Sequence, residues 1–114
     1  MKVKLLTETA KAPTRGTEQA AGYDIYADMD GHDHIVKGKA ISVSTGIAVQ
    51  IPHGFVGLIQ PRSGLAFKKS VDTMACVIDS DYTGEIKLLL TCHNDYHETR
   101  IERGDRLACD WCAR

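Results

Sequence analysis

The sequence lacks a long apolar run, a surplus of basic residues and any stretch with the apolar period of a helix. A membrane span needs roughly 20 consecutive apolar residues, and none of that length occurs in the 114 residues. Lys plus Arg number 14 and Asp plus Glu number 15, so the formal net charge is -1. A protein that binds duplex nucleic acid needs a strong basic surplus. The sequence therefore argues against membrane and nucleic-acid partners, although a few local cations could still hold a small anionic ligand.

The N-terminal segment also lacks the features of a secretory signal. Residues 1–6 (Met-Lys-Val-Lys-Leu-Leu) contain no sustained apolar run, and we expect a soluble, cytoplasmic protein. In that compartment reduced thiols are expected at Cys76, Cys92, Cys109 and Cys112. A zinc site is the alternative, because Cys109 and Cys112 form a CxxC and Cys92-His93 lies upstream. No second regular pair accompanies the CxxC, so ordinary thiols are favoured.

Short β-prone segments separated by turn signals fill the sequence. Turn residues recur at roughly 8 to 12 residues, a spacing typical of a sandwich or barrel, and a chain of this length suits a single domain over residues 1–114. Residues 28–34 are predicted as a polar turn, and Ser63 is predicted to cap one short helix. Strands are predicted at residues 3–7, 23–27, 35–37, 40–43, 47–51, 55–59, 71–78 and 85–92, and the strand at residues 55–59 is expected to be central. Residues 100–101 and 106–108 flank a charged turn that by itself indicates little.

A basic turn at residues 60–66 (Gln-Pro-Arg-Ser-Gly-Leu-Ala) is the first candidate for chemistry. Arg62 can hold phosphate oxygens with two parallel charged hydrogen bonds. The Ser63 hydroxyl and backbone N–H groups at a helix start can complete an anion pocket, and Gly64 lets the backbone approach a ligand. The plain alternative is a capped turn with a solvated arginine.

The bend at residues 79–84, between two predicted strands of a hairpin, carries the second candidate. Asp79 follows two apolar residues at a strand end, so we expect it to be partly buried and able to deprotonate a water. Tyr82 can pack flat against a sugar or base, and Gly84 is available for a positive φ. Alternatively, Asp79 and Asp81 simply hydrogen-bond the turn backbone.

Asp24, on the predicted strand at residues 23–27, is the third candidate. A polar residue on an alternating strand normally faces solvent, which is the plain interpretation. The carboxylate could instead help to hold Mg²⁺ through water, because hard cations prefer oxygen ligands and keep several waters. The histidines show no regular ligand spacing and are expected at the surface; they are His32, His34, His53, His93 and His97.

Four segments together resemble the first four of the five motifs of the trimeric dUTPase (dUTP diphosphatase) family, in the family's order and spacing. They are residues 21–27 (AGYDIYA), 61–66 (PRSGLA), 77–86 (VIDSDYTGEI) and 104–108 (GDRLA). The resemblance covers nearly the whole chain from about residue 3 to 108. It implies an all-β, jelly-roll-like or distorted-barrel fold with one short helix after the Pro-Arg-Ser-Gly turn. It also implies homotrimers with three sites at subunit junctions and Mg²⁺-dependent hydrolysis of dUTP to dUMP and pyrophosphate.

The resemblance assigns roles to individual residues. Asp79 would activate the water that attacks the α-phosphorus and would touch the 3′-hydroxyl. Tyr82 would pack on the deoxyribose and exclude a 2′-hydroxyl, and Asp24 would act on the metal through water. Phosphates would be held by Arg62, Ser63 and Gly64.

Uracil would be read by the backbone of the hairpin, whose N–H and C=O groups can copy the edge of a pairing partner. Cytosine would leave buried polar groups unpaired, at about 1–3 kcal/mol each. The residues assigned to this role are Thr73, Cys76, Val77, Ile78 and Lys87.

Three departures from the family pattern bear on activity. Cys76 stands where the motif usually has glycine, which would cost on the order of 1 kcal/mol if that backbone is strained. Residues 109–114 (Cys-Asp-Trp-Cys-Ala-Arg) replace a β-rich continuation, and we expect no strand there. The Gly-rich fifth motif, an arm that closes over the nucleotide, is absent, so weaker catalysis and a less secure trimer are expected.

Two further functions are therefore kept as alternatives. The first is a catalytically weak or inactive protein of the same fold that binds dUTP or a protein partner. The second is a related dCTP deaminase, which needs a glutamate placed to work on the cytosine amine. The sequence of residues 79–82 (Asp-Ser-Asp-Tyr) fits dUTPases better than deaminases.

Overall fold

The structure is a computed structural model. It describes residues 2–74, 77–93 and 99–113, with side chains omitted at residues 67–68 and 109–113. One helix, α1 (Ser63–Lys69), follows the Pro-Arg turn directly. The strands are β1 (Lys2–Leu5), β2 (Tyr23–Tyr26), β3 (His32–Ile35), β4 (Ile41–Ser44), β5 (Ile47–Gln50), β6 (Val56–Pro61), β7 (Val71–Met74), β8 (Val77–Ile78), β9 (Lys87–Cys92), β10 (Thr99–Glu102) and β11 (Arg106–Ala113).

The strands form four small antiparallel sheets. Two sheets have two strands each, β1-β5 and β10-β3. The third has the order β4-β9-β7, and the fourth has the order β2-β11-β6-β8. The all-β prediction with one short helix is thus confirmed, and so is the prediction that residues 55–59 contribute a central strand, because β6 lies between β11 and β8.

Buried aliphatic side chains form one core between these sheets. The alternation of a strand sends every second side chain inward, as β9 shows. Leu88, Leu90 and Cys92 are buried, whereas Lys87 at the start of the strand is exposed. This inward set fixes the face of each strand. Thr73 of β7 and Thr99 of β10 are polar residues that are also buried.

Residues 28–34 differ from the predicted polar turn, because β3 begins at His32. β3 pairs with β10 from His32↔Glu102 to Ile35↔Thr99. Ile35 is fully buried, so the apolar end of the segment anchors it while the ladder satisfies its backbone. Polar side chains do not prevent a strand that has a paired neighbour.

Residues 106–113 also depart from expectation, because β11 continues through the tail that was expected to lack a strand. β11 is hydrogen-bonded to β2 along one edge and to β6 along the other. Two paired edges satisfy its backbone groups, and this tertiary pairing outweighs the weak local pattern of the tail.

The predicted hairpin is divided between two sheets. β7 pairs with β9 from Val71↔Cys92 to Met74↔Leu89, whereas β8 leaves β9 and pairs with β6. Gly57 of β6 explains this departure, because a Cβ at Gly57 would lie 3.1 Å from the Cβ of Ile78. The missing side chain lets β8 approach β6, and the bend that follows β8 therefore connects the two sheets.

Helix α1 begins without the predicted serine cap. Its N-cap is Arg62, in an extended conformation with no side-chain capping hydrogen bond, and Ser63 is the first helical residue. The helix ends at Ser70, whose φ of 54° lies in the left-handed region. In the part of the chain that the structure describes, no helix has the length and apolarity to cross a membrane.

Candidate active site

Asp24 lies between two arginines contributed by neighbouring segments of one sheet. Its Oδ1 is 3.5 Å from Arg62 Nε, and its Oδ2 accepts a hydrogen bond of 3.4 Å from Arg106 Nη1. Asp24 belongs to β2, Arg106 begins β11, and Arg62 follows β6, so the order β2-β11-β6 brings the three side chains together. The Asp24 side chain is only 14% exposed, and its charge is therefore compensated at the edge of the core.

An arginine-lined cleft of about 410 Å³ opens beside this cluster; we call it the arginine cleft. Arg62, Arg100 and Arg106 line it together with Tyr26 and Asp105. Three guanidinium groups line the cleft, although Asp24 pairs with Arg62 and Arg106 and a Glu102 carboxylate oxygen lies 3.6 Å from Arg100. Such a cleft suits a polyanion, because guanidinium groups form charge-assisted hydrogen bonds with phosphate oxygens.

Ser63 and Gly64 lie at the start of α1, and both are exposed. A Cβ at Gly64 would meet no atom of this chain within 4 Å. Glycine inside a helix costs about 1 kcal/mol relative to alanine, so the chain alone gives no reason for glycine here. A ligand or a neighbouring molecule that approaches the backbone would supply that reason.

The bend after β8 carries the second group of candidate residues. Tyr82 N–H donates a hydrogen bond of 3.1 Å to the Asp79 carbonyl and closes the turn. Asp79 is exposed, contrary to the expected partial burial, because the turn lies between two sheets rather than inside a hairpin. Its carboxylate is therefore open to water in the isolated chain.

A cleft of about 210 Å³, the hairpin cleft, gathers five of the residues predicted from the sequence. Those residues are Val77, Ile78, Asp79, Tyr82 and Lys87. Thr73 lies in β7, paired with Leu90, and its side chain is buried. Cys76 lies outside the described residues. The structure thus brings most of the predicted base-reading and catalytic residues to one cleft, and Thr73 is not among its lining residues.

Gly84 is required for close approach and not for a positive φ. Glycines with positive φ occur in the described residues, but Gly84 is not among them. A Cβ at Gly84 would lie 2.7 Å from the Tyr82 hydroxyl oxygen, and that hydroxyl donates a hydrogen bond of 2.7 Å to the Glu85 carbonyl. The Tyr82 ring therefore lies directly over Gly84, which corrects the expected role of this glycine.

The candidate residues consequently form two groups within one chain. Arg62 lines the arginine cleft, whereas Asp79 and Tyr82 line the hairpin cleft. Sequence reasoning missed Arg106, which was treated as part of an uninformative charged turn. Its proximity to Asp24, 82 residues away in the sequence, depends on the pairing of β11 with β2. The five-residue match at 104–108 was the one available signal.

The donor groups fit a metal that is shared with a polyphosphate better than a metal held by protein alone. Within the described ranges, no group of three or more His, Cys, Asp or Glu side chains could hold a metal ion. Asp24 offers carboxylate oxygens, but Arg62 and Arg106 already compensate its charge. Mg²⁺ typically uses one or two carboxylates, several waters and substrate phosphates, and Asp24 suits that arrangement.

The backbone of residues 109–112 does not favour the zinc alternative. Cys109 and Cys112 both lie within the extended strand β11, where residues three apart are separated by about 10 Å. A CxxC that binds zinc needs both thiolates at one ion about 2.3 Å away. Cys92 is buried, and its Sγ donates a hydrogen bond of 3.3 Å to the Lys69 carbonyl.

A buried carboxylate outside both clefts, Asp28, joins the N-terminal segment to the core. Thr7 Oγ1 and Thr9 Oγ1 each donate a hydrogen bond of 2.5 Å to it. These bonds, from Thr7 first and then Thr9, hold the pKa of Asp28 below its usual value against the opposing effect of burial. The Arg103 guanidinium, 3.9 Å away, lowers the pKa further.

Solved structures share this fold over nearly the whole chain. The dUTPase of Staphylococcus bacteriophage 80alpha superposes with a TM-score of 0.88 at 25% identity, covering 98% of this chain and 88% of that one. A variant dUTPase from phage phi11 of Staphylococcus aureus, described with a structural Mg(II) ion, gives a TM-score of 0.87 at 26% identity with the same coverage. The distorted all-β architecture is thus the dUTPase fold.

Sequence comparison identifies the family. The dUTPase family pattern matches residues 8–109. Deoxyuridine 5′-triphosphate nucleotidohydrolase of Paramecium bursaria Chlorella virus 1 is 50% identical over 109 residues, covering 93% of this chain and 73% of that protein. The Saccharomyces cerevisiae protein of the same name is 44% identical over 108 residues, covering 95% and 71%. The chain belongs to the dUTPase family, which confirms the resemblance found in its sequence.

Proposed function

We propose that this chain hydrolyses dUTP to dUMP and pyrophosphate with the help of Mg²⁺. The observation that carries the proposal is the convergence of Arg62 and Arg106 on Asp24 at the arginine cleft, in a chain of the dUTPase family. A cleft lined by three guanidinium groups offers charge-assisted donors to a triphosphate. The hairpin cleft adds a carboxylate and an aromatic ring, the groups that water activation and sugar packing require.

In the proposed complex Arg62 and Arg106 bind phosphate oxygens. The ion pair to Asp24 uses Arg62 Nε, so a two-pronged contact with phosphate would use the two Nη groups. Ser63 and Gly64 are exposed beside Arg62, and the open space at Gly64 leaves room for the phosphate chain. These groups would position the triphosphate and stabilise the charge that develops during attack.

Asp79 is proposed as the general base. Its exposed carboxylate would hold the attacking water, orient it towards the α-phosphorus and take its proton. The Tyr82 ring is 46% exposed and is proposed to pack on the deoxyribose, next to the base-reading segment. Hydrolysis at phosphorus needs little covalent participation from protein, so one positioned carboxylate suffices.

The backbone of β8 is proposed to read uracil. β8 is an edge strand of its sheet, and an edge strand presents N–H and C=O groups that can pair with another molecule. Val77 and Ile78 of β8 line the hairpin cleft opposite Lys87 of β9. Uracil fits this role because its ring edge offers both acceptors and a donor, and Thr73 and Cys76 extend the same segment in the sequence.

Mg²⁺ is proposed to bind the phosphates and to reach Asp24 through water. When bound, it would neutralise phosphate charge. The compensated carboxylate of Asp24 and the absence of a larger donor group in the described residues both favour a metal that arrives with the nucleotide.

A homotrimer is proposed because the two halves of the site lie in separate clefts. Arg62 and Asp79 would meet when the arginine cleft of one chain faces the hairpin cleft of another. Light scattering of the purified chain tests this arrangement. A monomer that hydrolyses dUTP at full rate would contradict it.

Pyrophosphate release tests the activity. The wild-type chain should release pyrophosphate from dUTP with Mg²⁺ and lose that activity with EDTA. UTP and dCTP serve as matched substrates, and ammonia release from dCTP distinguishes a deaminase. Failure to release pyrophosphate from dUTP at micromolar protein would contradict the proposal, and tight dUTP binding without release would select the binding protein instead.

A further inference from the structure

We propose that Glu85 is a positioning residue that holds the Tyr82 ring and thereby sets discrimination between deoxyribose and ribose. The inference rests on the proposed function of the hairpin cleft. Neither the sequence patterns nor the predicted site residues include Glu85 in this role. The structure points to it through hydrogen bonds made by both its side chain and its backbone.

Glu85 connects the bend to a distant corner of the fold. Its Oε2 accepts a hydrogen bond of 2.9 Å from the Gly46 N–H, and its carbonyl accepts the Tyr82 hydroxyl at 2.7 Å. The first bond involves a charged acceptor, so it is stronger than a bond between neutral groups. One residue therefore ties the tyrosine to the corner between β4 and β5.

The donor at that corner is rigid. Gly46 has a φ of 68°, and a Cβ there would lie 2.4 Å from Asp28 Oδ2 and 2.7 Å from Ala10 Cβ. Its carbonyl accepts a hydrogen bond of 2.7 Å from Leu6 N–H. Gly46 is thus enclosed on one side by the buried Asp28 network and fixes its N–H towards Glu85 on the other.

The chain next to Glu85 is held by the same corner. Ile86 N–H donates to the Ile47 carbonyl at 2.8 Å, and the buried Thr45 hydroxyl donates to the Ile86 carbonyl. Ile86 is therefore part of the core, whereas Glu85 is the link from that core to the exposed bend. The carboxylate of Glu85 is the adjustable part of the link, since it is a side chain and lines the hairpin cleft.

The Tyr82 ring is limited from two directions. Its hydroxyl is held by the Glu85 carbonyl, and its ring lies over Gly84, where an added Cβ would come within 3.0 Å of Cζ. A ring with little freedom can reject a 2′-hydroxyl sterically. If Glu85 loses its contact with Gly46, the peptide that carries its carbonyl is held only through the Ile86 N–H bond to the Ile47 carbonyl. The Tyr82 ring then gains freedom to move aside for ribose. Asp79 takes no part in these bonds of Glu85 and retains its proposed role.

The test compares Glu85→Ala with Glu85→Gln, using Glu18→Ala, an exposed acid of the loop before β2, as control. For each variant kcat/KM is measured with dUTP and UTP, and dissociation constants for dUMP and UMP are measured by calorimetry. We expect Glu85→Ala to reduce the preference for deoxyribose about tenfold, both in kcat/KM for dUTP relative to UTP and in affinity for dUMP relative to UMP. The kcat for dUTP should stay within about threefold of wild type. Glu85→Gln keeps an acceptor for Gly46 N–H and should restore most of the preference.

Tyr82→Phe provides a second variant that keeps the ring and removes the bond to the Glu85 carbonyl. It should also reduce the preference for deoxyribose. In the double variant Glu85→Ala/Tyr82→Phe, the fold-loss of preference should be smaller than the product of the fold-losses of the two single variants. The inference is wrong if Glu85→Ala and Tyr82→Phe both leave the preference for deoxyribose unchanged, whether or not they lower activity with dUTP and UTP equally. A wild-type chain that binds dUMP and discriminates but does not hydrolyse dUTP refutes the proposed function alone, and a wild-type chain that binds neither nucleotide refutes both.

Discussion

The arginine cleft and the hairpin cleft are built in opposite ways. In the arginine cleft, three strands of one sheet bring charged side chains together, and Asp24 is compensated by Arg62 and Arg106. In the hairpin cleft, a turn between two sheets carries Asp79 on its exposed side. The two aspartates therefore occupy different environments, one paired and largely shielded, the other open to water.

This difference indicates which side chains of the proposed site a single chain can preorganise. Charge pairs across β2, β11 and β6 place the proposed phosphate-binding groups before any ligand arrives. In the hairpin cleft, hydrogen bonds hold the backbone of the bend and the Tyr82 ring. The Asp79 carboxylate, however, must lose water before it can act efficiently as a base in a closed site. Substrate or a second chain must supply that exclusion of water, which agrees with the proposed shared site.

The largest expected effect separates the two aspartates. Asp79→Asn should lower kcat for dUTP by about 10³-fold, because the general base is lost. Binding of a non-hydrolysable dUTP analogue should stay within about threefold of wild type, since Arg62 and Arg106 are unchanged. Single-turnover kinetics and calorimetry measure the two effects. Residual turnover of more than a tenth of wild type would remove Asp79 from the role of base.

Two glycines extend the comparison. The N–H of Gly46 bonds Glu85 of the hairpin cleft, and Gly64 lies two residues after Arg62 of the arginine cleft. Gly46→Ala should destabilise the fold by about 3 kcal/mol, because its φ is positive and its Cβ would collide with Asp28. Gly64→Ala should leave stability unchanged or raise it by about 1 kcal/mol, since its Cβ meets open space. Urea denaturation measures both. Equal stability losses in the two variants would contradict the environments described for them.

Replacement of Arg62, which is proposed to bind phosphate, should affect only ligands that carry phosphate. Arg62→Lys keeps the charge but loses the planar fork, so KM for dUTP should rise about 10- to 100-fold. Deoxyuridine, which has no phosphate, should bind as it does to wild type, and Arg100→Lys at the rim of the cleft should have a weaker effect than Arg62→Lys. An equal loss of deoxyuridine affinity would indicate that Arg62 acts on the hairpin cleft as well.

The smallest expected effect concerns acid stability. The pKa of Asp28 is lowered in the folded chain, so its contribution to stability is present above the unfolded-state value of about 3.9. That contribution is lost as the pH falls through the lower folded-state pKa. Asp28→Asn should therefore show a flatter loss of stability between pH 5 and pH 3 than wild type, whereas Glu18→Gln, at an exposed residue of the loop before β2, should follow wild type. Thermal unfolding over that pH range is the measurement.

Local pattern predicted the fold well where the strand alternation is regular. Ile47 and Val49 alternate with more exposed neighbours in β5, and Leu88 and Leu90 do the same in β9, so both strands could be read from the sequence. The basic turn before α1 was also recognisable, because Pro61 and Gly64 mark it. The resemblance to the family's motifs then assigned these local signals to one site.

Features that depend on pairing between distant segments could not be predicted in this way. The strand at residues 106–113 exists because β2 and β6 flank it, and the strand at His32 exists because β10 pairs with it. Likewise, the exposure of Asp79 follows from β8 joining β6 instead of β9. The bond between Glu85 and Gly46 spans 39 residues, and no periodicity within either segment could indicate it.

The pairing of β2 with β11 has a consequence for how the chain folds. Among the described strands, β2 forms its ladder with β11, which lies about 80 residues later in the sequence. Long-range antiparallel pairing of this kind slows folding, since a large loop must close first. At roughly 5–20 residues per second, a ribosome needs on the order of ten seconds between the two strands. Throughout that interval Ile25 lacks Ala108, its partner in the ladder, so the edge of β2 that β11 covers in the folded chain stays exposed.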